Sequence, residues 1–176
     1  VAQRHQRGVA VGVLHLVRGP GIANTVYPSV TSISLPDTDK QLQNFGGGQC
    51  GGNVAQMLPP SCDTGFAQLG LDLGADIMFK QSNLFGFDSR PPLDIPGVAT
   101  SNFPTPAELT VRKPFLAYGA IGQGDVTATA LQNALVAAAV ANNGSIMSPH
   151  LLREVREVVG EGFEFEVIRS FEGREE

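Results

Sequence analysis

The apolar positions of this chain change their spacing along its length. From Thr64 onward they fall at intervals compatible with a helix: Phe66, Leu69, Leu71 and Leu73 lead up to Gly74, predicting a helix capped by Asp63 or Thr64 and closed at the glycine. Gly74-Ala75-Asp76 opens a second predicted helix with Ile77, Met78, Leu84 and Phe85 on its apolar side and Gly86 at its end. The clearest helix starts at Thr129, where Gln132 three residues on makes a capping box. Leu131, Leu135, Ala138, Ala139 and Val140 form its apolar run, and Gly144 after Asn143 stops it. Its alanines are read as core, packed tightly against another helix. Beyond Pro149, apolar and charged residues alternate from Leu151 to Val159 and through Phe163, Phe165, Val167 and Ile168. That pattern predicts strands or a hairpin through Gly160-Glu161-Gly162.

Two stretches carry no such period. Gly19-Pro20-Gly21 breaks the chain, and Val30, Ile33 and Leu35 lie among serines, so residues 19–60 are expected to be irregular or short strands. Residues 87–115 are crowded with proline and are expected to hold no regular element. The 21 glycines and 12 prolines, concentrated between residues 19 and 115, imply long loops of the kind that line sites.

Composition narrows the class. At 176 residues and 42% hydrophobic the chain has the size of one domain with its own core. A net charge of -5, a pI near 5.1 and only 16% charged residues argue against a nucleic-acid partner. Near the N-terminus, Arg4-His5-Gln6-Arg7 precedes an apolar run from Val9 to Leu14, in the order of an export signal. The run is interrupted by His15 and ends at Arg18, far short of the roughly 20 residues that cross a bilayer. A small-x-small cleavage site is also missing, so neither a membrane anchor nor a signal peptide is expected there.

The candidate chemistry sits in Ser61-Cys62-Asp63, just after the glycine cluster Gly46-Gly47-Gly48-Gln49-Cys50-Gly51-Gly52. A hydroxyl and a carboxylate two residues apart at a loop-to-helix junction can form one wall of a serine acyl-transfer site. The plainer reading is that Ser61 or Asp63 only caps the following helix. No Ser-x-x-Lys occurs, because the residues three before Lys40, Lys80 and Lys113 are Asp37, Ile77 and Thr110; no Lys-Thr-Gly or Lys-Ser-Gly occurs either. Cys50 and Cys62 have two readings: free thiols in a reducing compartment, or a disulfide outside the membrane that would pin the glycine loop to the site loop. With no histidine pair nearby, no metal site is expected, and no cofactor is implied. Gln123 is read as a loop amide bonding backbone groups, His5 and His15 as incidental, and His150 as structural.

Four blocks in order, "LQNFGGGQCGG", "SCDTGFAQLGLDLGAD", "LFGFDS" and "AIGQGDVTATALQNALVAAAVANNGSIMSPHLL", resemble the transpeptidase domain of class B penicillin-binding proteins, particularly the actinobacterial type. The resemblance runs over residues 27–171, leaving a poorly matched segment 1–26 and a tail 172–176. It implies an α+β fold: a fragment of the penicillin-binding protein and β-lactamase-like fold, mainly its helical subdomain with loops and a short C-terminal hairpin. In that family a Ser-x-x-Lys, a Ser-x-Asn or Ser-x-Asp, and a Lys-Thr-Gly converge on one cleft. Only the second is present here, so by resemblance Ser61 is the proton-relaying catalytic hydroxyl and Asp63 the group that contacts the substrate's acyl-chain amide. The family's usual Thr-Pro-Leu-Gln appears as Thr129-Ala130-Leu131-Gln132, which costs only a proline at the first helical position.

The activity so implied is peptidoglycan D,D-transpeptidation by serine acyl transfer, with stem peptides and β-lactams as ligands of the intact enzyme. Its place would be the extracytoplasmic face of the bacterial membrane. This chain alone, a truncated or frameshifted segment on this reading, is expected to lack the nucleophile. The alternative is a non-enzymatic module that binds the cell wall or a cell-wall synthesis or division protein. A serine hydrolase of another design is disfavoured by the lack of Gly-x-Ser-x-Gly.

Overall fold

The computed structural model describes residues 24–159 and 165–170. Expectations placed on the first 23 residues, on Gly160-Glu161-Gly162 and on the tail lie outside them. Four short strands, β1 (Tyr27–Val30), β2 (Ser32–Ser34), β3 (Gln41–Gln43) and β4 (Cys50–Gly52), form one long antiparallel ribbon in two segments. At its tip β2 pairs with β3 in the register Ser32↔Gln43, Ile33↔Leu42, Ser34↔Gln41; at its base β1 pairs with β4, with Tyr27 opposite Gly52 and Val30 opposite Cys50. Between the segments the returning strand bulges out from Asn44 to Gln49, including a single 3₁₀ turn at Phe45–Gly47. The strands approach so closely at the base that a Cβ on Gly51 would lie 2.4 Å from the Pro28 carbonyl oxygen.

Six helices follow. A short α1 (Val54–Met57) starts in a full capping box between Asn53 and Gln56; α2 (Asp63–Leu73) and α3 (Ala75–Leu84) are separated by Gly74 at φ 80°. Then come α4 (Pro106–Val111), α5 (Lys113–Ala120) and α6 (Ala130–Ala141). The chain returns as the antiparallel pair β5 (Glu154–Val158) and β6 (Phe165–Ser170). The core gathers Met57 and Cys62, then Phe66, Ala67 and Leu69 of α2, with Met78, Phe103, Leu109 and Ala117 from the elements around it.

Several expectations are corrected. Residues 87–115 do hold regular structure, because Pro106 and Pro114 stand in the first turns of α4 and α5, where a missing N–H leaves no helical bond unmade. Thr105 and Glu108 complete a capping box around Pro106, with Thr105 N donating to Glu108 Oε2 at 2.8 Å. At α6 only half of the expected box forms. Thr129 Oγ1 accepts from Gln132 N at 3.0 Å, but the buried Gln132 side chain turns inward and donates to the Phe85 carbonyl at the end of α3.

The alanines of α6 are not uniformly core. Ala139 is fully buried with Val136 and Gln132 beside it, while Ala137, Ala138 and Val140 face outward. The tight helix contact lies elsewhere, between α2 and α5, where a Cβ on Gly70 would come within 2.2 Å of Ala120 Cβ. On α3, Met78 and Phe85 are buried as expected, but Ile77 and Leu84 are exposed.

Candidate active site

Ser61 leaves the turn after α1 in a left-handed conformation, φ 53°. Two backbone bonds define that turn: Cys62 N donates to the Met57 carbonyl and Ser61 N to the Leu58 carbonyl, both at 3.0 Å. This six-to-one and five-to-two pair is a Schellman closure, with Ser61 at the position glycine usually takes. The same pair closes α3, where Phe87 N reaches Ser82 and Gly86 N reaches Asn83, and α5, where Gln123 N reaches Tyr118 and Gly122 N reaches Gly119. Those two turns place glycines, Gly86 at φ 87° and Gly122 at φ 71°, where this one places a serine.

The next residue, Cys62, is the backbone N-cap of α2 and makes no side-chain cap bond. Neither Asp63 nor Thr64 caps the helix as the sequence suggests. Asn44, from the bulge of the ribbon, accepts from Thr64 N at 2.9 Å through its side-chain oxygen. Asp63 occupies the first helical position, where its carboxylate meets the positive end of the helix dipole. Its Oδ2 accepts from Phe45 N at 3.2 Å, so its charge is met by a backbone N–H of the glycine loop.

Cys50 and Cys62 are joined as a disulfide, with Cα atoms 5.7 Å apart. Among the described residues no cysteine is free. The bond ties the base strand β4 to the start of α2, so the loop and the Ser-x-Asp corner are held together by one covalent and several polar links. Farther along α2, Tyr27 of β1 donates to Asp72 Oδ2 at 3.0 Å. Burial, and then the Asp72 carboxylate, push the Tyr27 phenol well above its ordinary range.

The other polar residues take supporting positions. Gln123 closes the α5 turn through its main-chain N–H, which donates to the Tyr118 carbonyl at 2.8 Å, rather than through the side-chain amide that the sequence reading invoked. His150 is exposed and precedes Leu151 and Leu152, whose N–H groups both donate to Asp94 at 2.9 and 2.7 Å. Those N–H groups hold the Asp94 carboxyl below the usual carboxylate range. Among the described residues no group of three or more His, Cys, Asp or Glu side chains is placed to hold a metal. Sequence reasoning missed Asn44, whose partners lie up to 20 residues away in the chain. Its only local signal was its place directly before the Phe-Gly-Gly-Gly turn.

The description "Penicillin binding protein transpeptidase domain" fits residues 21–170. The chain belongs to this family. Among similar transpeptidase-family proteins is the peptidoglycan D,D-transpeptidase PbpA of Mycolicibacterium smegmatis, 37% identical over 136 residues, covering 75% of this chain and 27% of that protein. The peptidoglycan D,D-transpeptidase MrdA of Escherichia coli K12 is 30% identical over 132 residues, 70% of this chain and 20% of the other. A penicillin G acyl-enzyme complex of penicillin-binding protein A from M. tuberculosis superposes with a TM-score of 0.83 at 28% identity, over 97% of this chain and 39% of that one. The family chain described here therefore spans about a quarter of the length of the mycobacterial relatives it matches.

Chemically, the corner offers a hydroxyl and a carboxylate on adjoining turns. A serine hydroxyl both donates and accepts, so Ser61 can pass a proton without holding charge when an amine nearby supplies the basicity. The Asp63 carboxylate, which accepts from Phe45 N, has about four acceptor sites in all.

Proposed function

We propose that this chain forms the part of a peptidoglycan D,D-transpeptidase that carries its middle motif. Ser61 relays a proton between the attacking group's surroundings and the leaving amine, and Asp63 accepts an N–H of the stem peptide. The observation that carries this reading is the left-handed Ser61. A non-glycine residue in that region costs on the order of 1 kcal/mol or more and persists where surrounding structure over-determines it, commonly at active sites. The substrate class is peptidoglycan stem peptides, with β-lactams as their mimics, and the place of action is the outer face of a bacterial membrane to which the whole protein is anchored. A disulfide at the corner suits that oxidising setting. The attacking serine with its lysine, and the third motif, must come from sequence other than these 176 residues, which contain no Ser-x-x-Lys, Lys-Thr-Gly or Lys-Ser-Gly.

A chimera tests this. Residues 27–159 replace the matching segment of M. smegmatis PbpA, and the product is incubated with a fluorescent penicillin. We expect covalent labelling of the chimera, at least a hundredfold slower labelling after Ser61→Ala, as for loss of a general acid–base group, and no labelling of the present chain by itself. A chimera with native circular dichroism that does not label, or one whose labelling is indifferent to Ser61→Ala, sinks the reading. The absence of the other two motifs from the chain favours a second reading, a non-enzymatic wall-binding module. That outcome would show as an unlabelled chimera together with co-sedimentation of the chain with purified peptidoglycan.

A further inference from the structure

Asn44 is a buried polar side chain, 7% exposed, in a loop that is otherwise open to solvent. Its amide nitrogen donates to the Val30 carbonyl at the end of β1 and to the Gly48 carbonyl across the bulge, both at 2.8 Å. Its amide oxygen accepts from Thr64 N in the first turn of α2. One side chain thus holds three separate stretches of backbone. Its main chain is held too, with its N–H on the Thr31 carbonyl at 3.1 Å and its carbonyl receiving Gly47 N at 2.9 Å.

The loop has few other side-chain anchors. A Cβ on Gly46 or Gly47 would meet nothing within 4 Å, and both glycines have positive φ. Gln49 reaches Ser29 O at 2.9 Å from an exposed position. The two links that matter to the corner, Phe45 N on Asp63 and the Cys50–Cys62 bond, start from the residue after Asn44 and from the strand the loop leads into.

We propose that Asn44 is the positioning residue of the Ser61–Asp63 corner. By fixing the gap between the glycine loop and the first turn of α2, it sets both the N–H that Phe45 presents to Asp63 and the closeness of the two cysteine sulfurs. The Proposed function enters only in saying what the corner serves. Two equilibria are coupled as a result: docking of the loop on α2 and formation of the disulfide. Coupling free energies are reciprocal, so weakening the Asn44 contacts must weaken the disulfide. Reduction by glutathione takes two electrons and two protons into Cys50 and Cys62, leaving two thiols while two glutathione thiols become one disulfide.

The test follows the thiol–disulfide equilibrium of the full chain in glutathione buffers, together with its ¹⁵N amide spectrum, for wild type, Asn44→Ala and Asn44→Asp. Asn44→Ala is expected to lower the glutathione ratio needed for half-reduction, taken as the square of the reduced concentration over the oxidised one, by on the order of tenfold, the size of one lost buried hydrogen bond. It should also move the Phe45 and Thr64 amide resonances. Asn44→Asp keeps an acceptor for Thr64 N but sets a carboxylate against two carbonyl oxygens. It should shift the glutathione ratio and the Phe45 amide while leaving the Thr64 amide nearly in place, and it decides the matter if the alanine variant does not fold. A wild-type glutathione ratio, or an unmoved Phe45 amide, in Asn44→Asp would overturn the proposal, even if the urea midpoint falls. No β-lactam or peptidoglycan enters the measurement, so failure of the transpeptidase reading would leave its outcome unchanged.

Discussion

A serine that adopts a glycine's backbone conformation invites a direct substitution. Ser61→Gly should raise the unfolding free energy by about 0.5–1 kcal/mol, because the left-handed strain at φ 53° is relieved while the turn's two backbone bonds stay. Ser61→Ala keeps the Cβ and should give no such gain; equilibrium urea unfolding of the two variants distinguishes them. If glycine gives no gain, the conformation is not strained and the backbone at Ser61 no longer speaks for a functional role. The Ser-x-Asp spacing that singles out position 61 stands in the chain itself and was legible there. The conformation was not legible, because it arises from the Met57 and Leu58 carbonyls closing the preceding turn. The cap of α2 was misread for a related reason: the acceptor for Thr64 N comes from Asn44, on another element, and no local pattern signals it.

Among the elements, the two closest helices meet at a glycine. Adding a methyl group at Gly70 would ordinarily favour a helix by about 1 kcal/mol. Here that methyl would stand 2.2 Å from Ala120 Cβ, so α2 and α5 must move apart and the net effect should be a loss of about 1–3 kcal/mol. Gly70→Ala combined with Ala120→Gly should recover part of it, and a double-mutant cycle by urea unfolding reads the coupling. Additive losses would show that the two positions do not share a contact. The helices beginning near Thr64, Ala75 and Thr129 were readable from apolar spacing bounded by glycine. Those beginning at Pro106 and Lys113 were hidden because a proline breaks a helix or starts one according to its position, which composition does not reveal.

For the molecule as a whole, the join between ribbon and helices fixes the response to alkali. Tyr27 on β1 donates to Asp72 on α2, and its phenol ionises above the unfolded value of 10.0 in the folded state. A raised folded value means that this pair's contribution is fully present below about pH 10 and is lost as the pH climbs beyond it. The urea midpoint should therefore fall above about pH 10 in the wild type and fall less in Tyr27→Phe; parallel curves would remove Tyr27 as the cause. Family and fold class were legible at this scale because four blocks of sequence stand in a fixed order. The pairing of β1 with β4 across the bulge was not, since short strands among serines and glycines carry no distinctive period.

The clasp of Asp94 on Leu151 and Leu152 spans 57 and 58 residues of chain, against 45 for Tyr27 with Asp72 and 12 for the cysteine pair. Loop-closure entropy grows with the logarithm of the length enclosed, so the two long clasps cost nearly the same and both cost more than the cysteine pair. By that slow logarithmic scaling the Asp94 clasp costs about 1.4 kcal/mol more loop entropy to close than the cysteine pair, so the ribbon and its neighbouring helix are the cheaper to bring together.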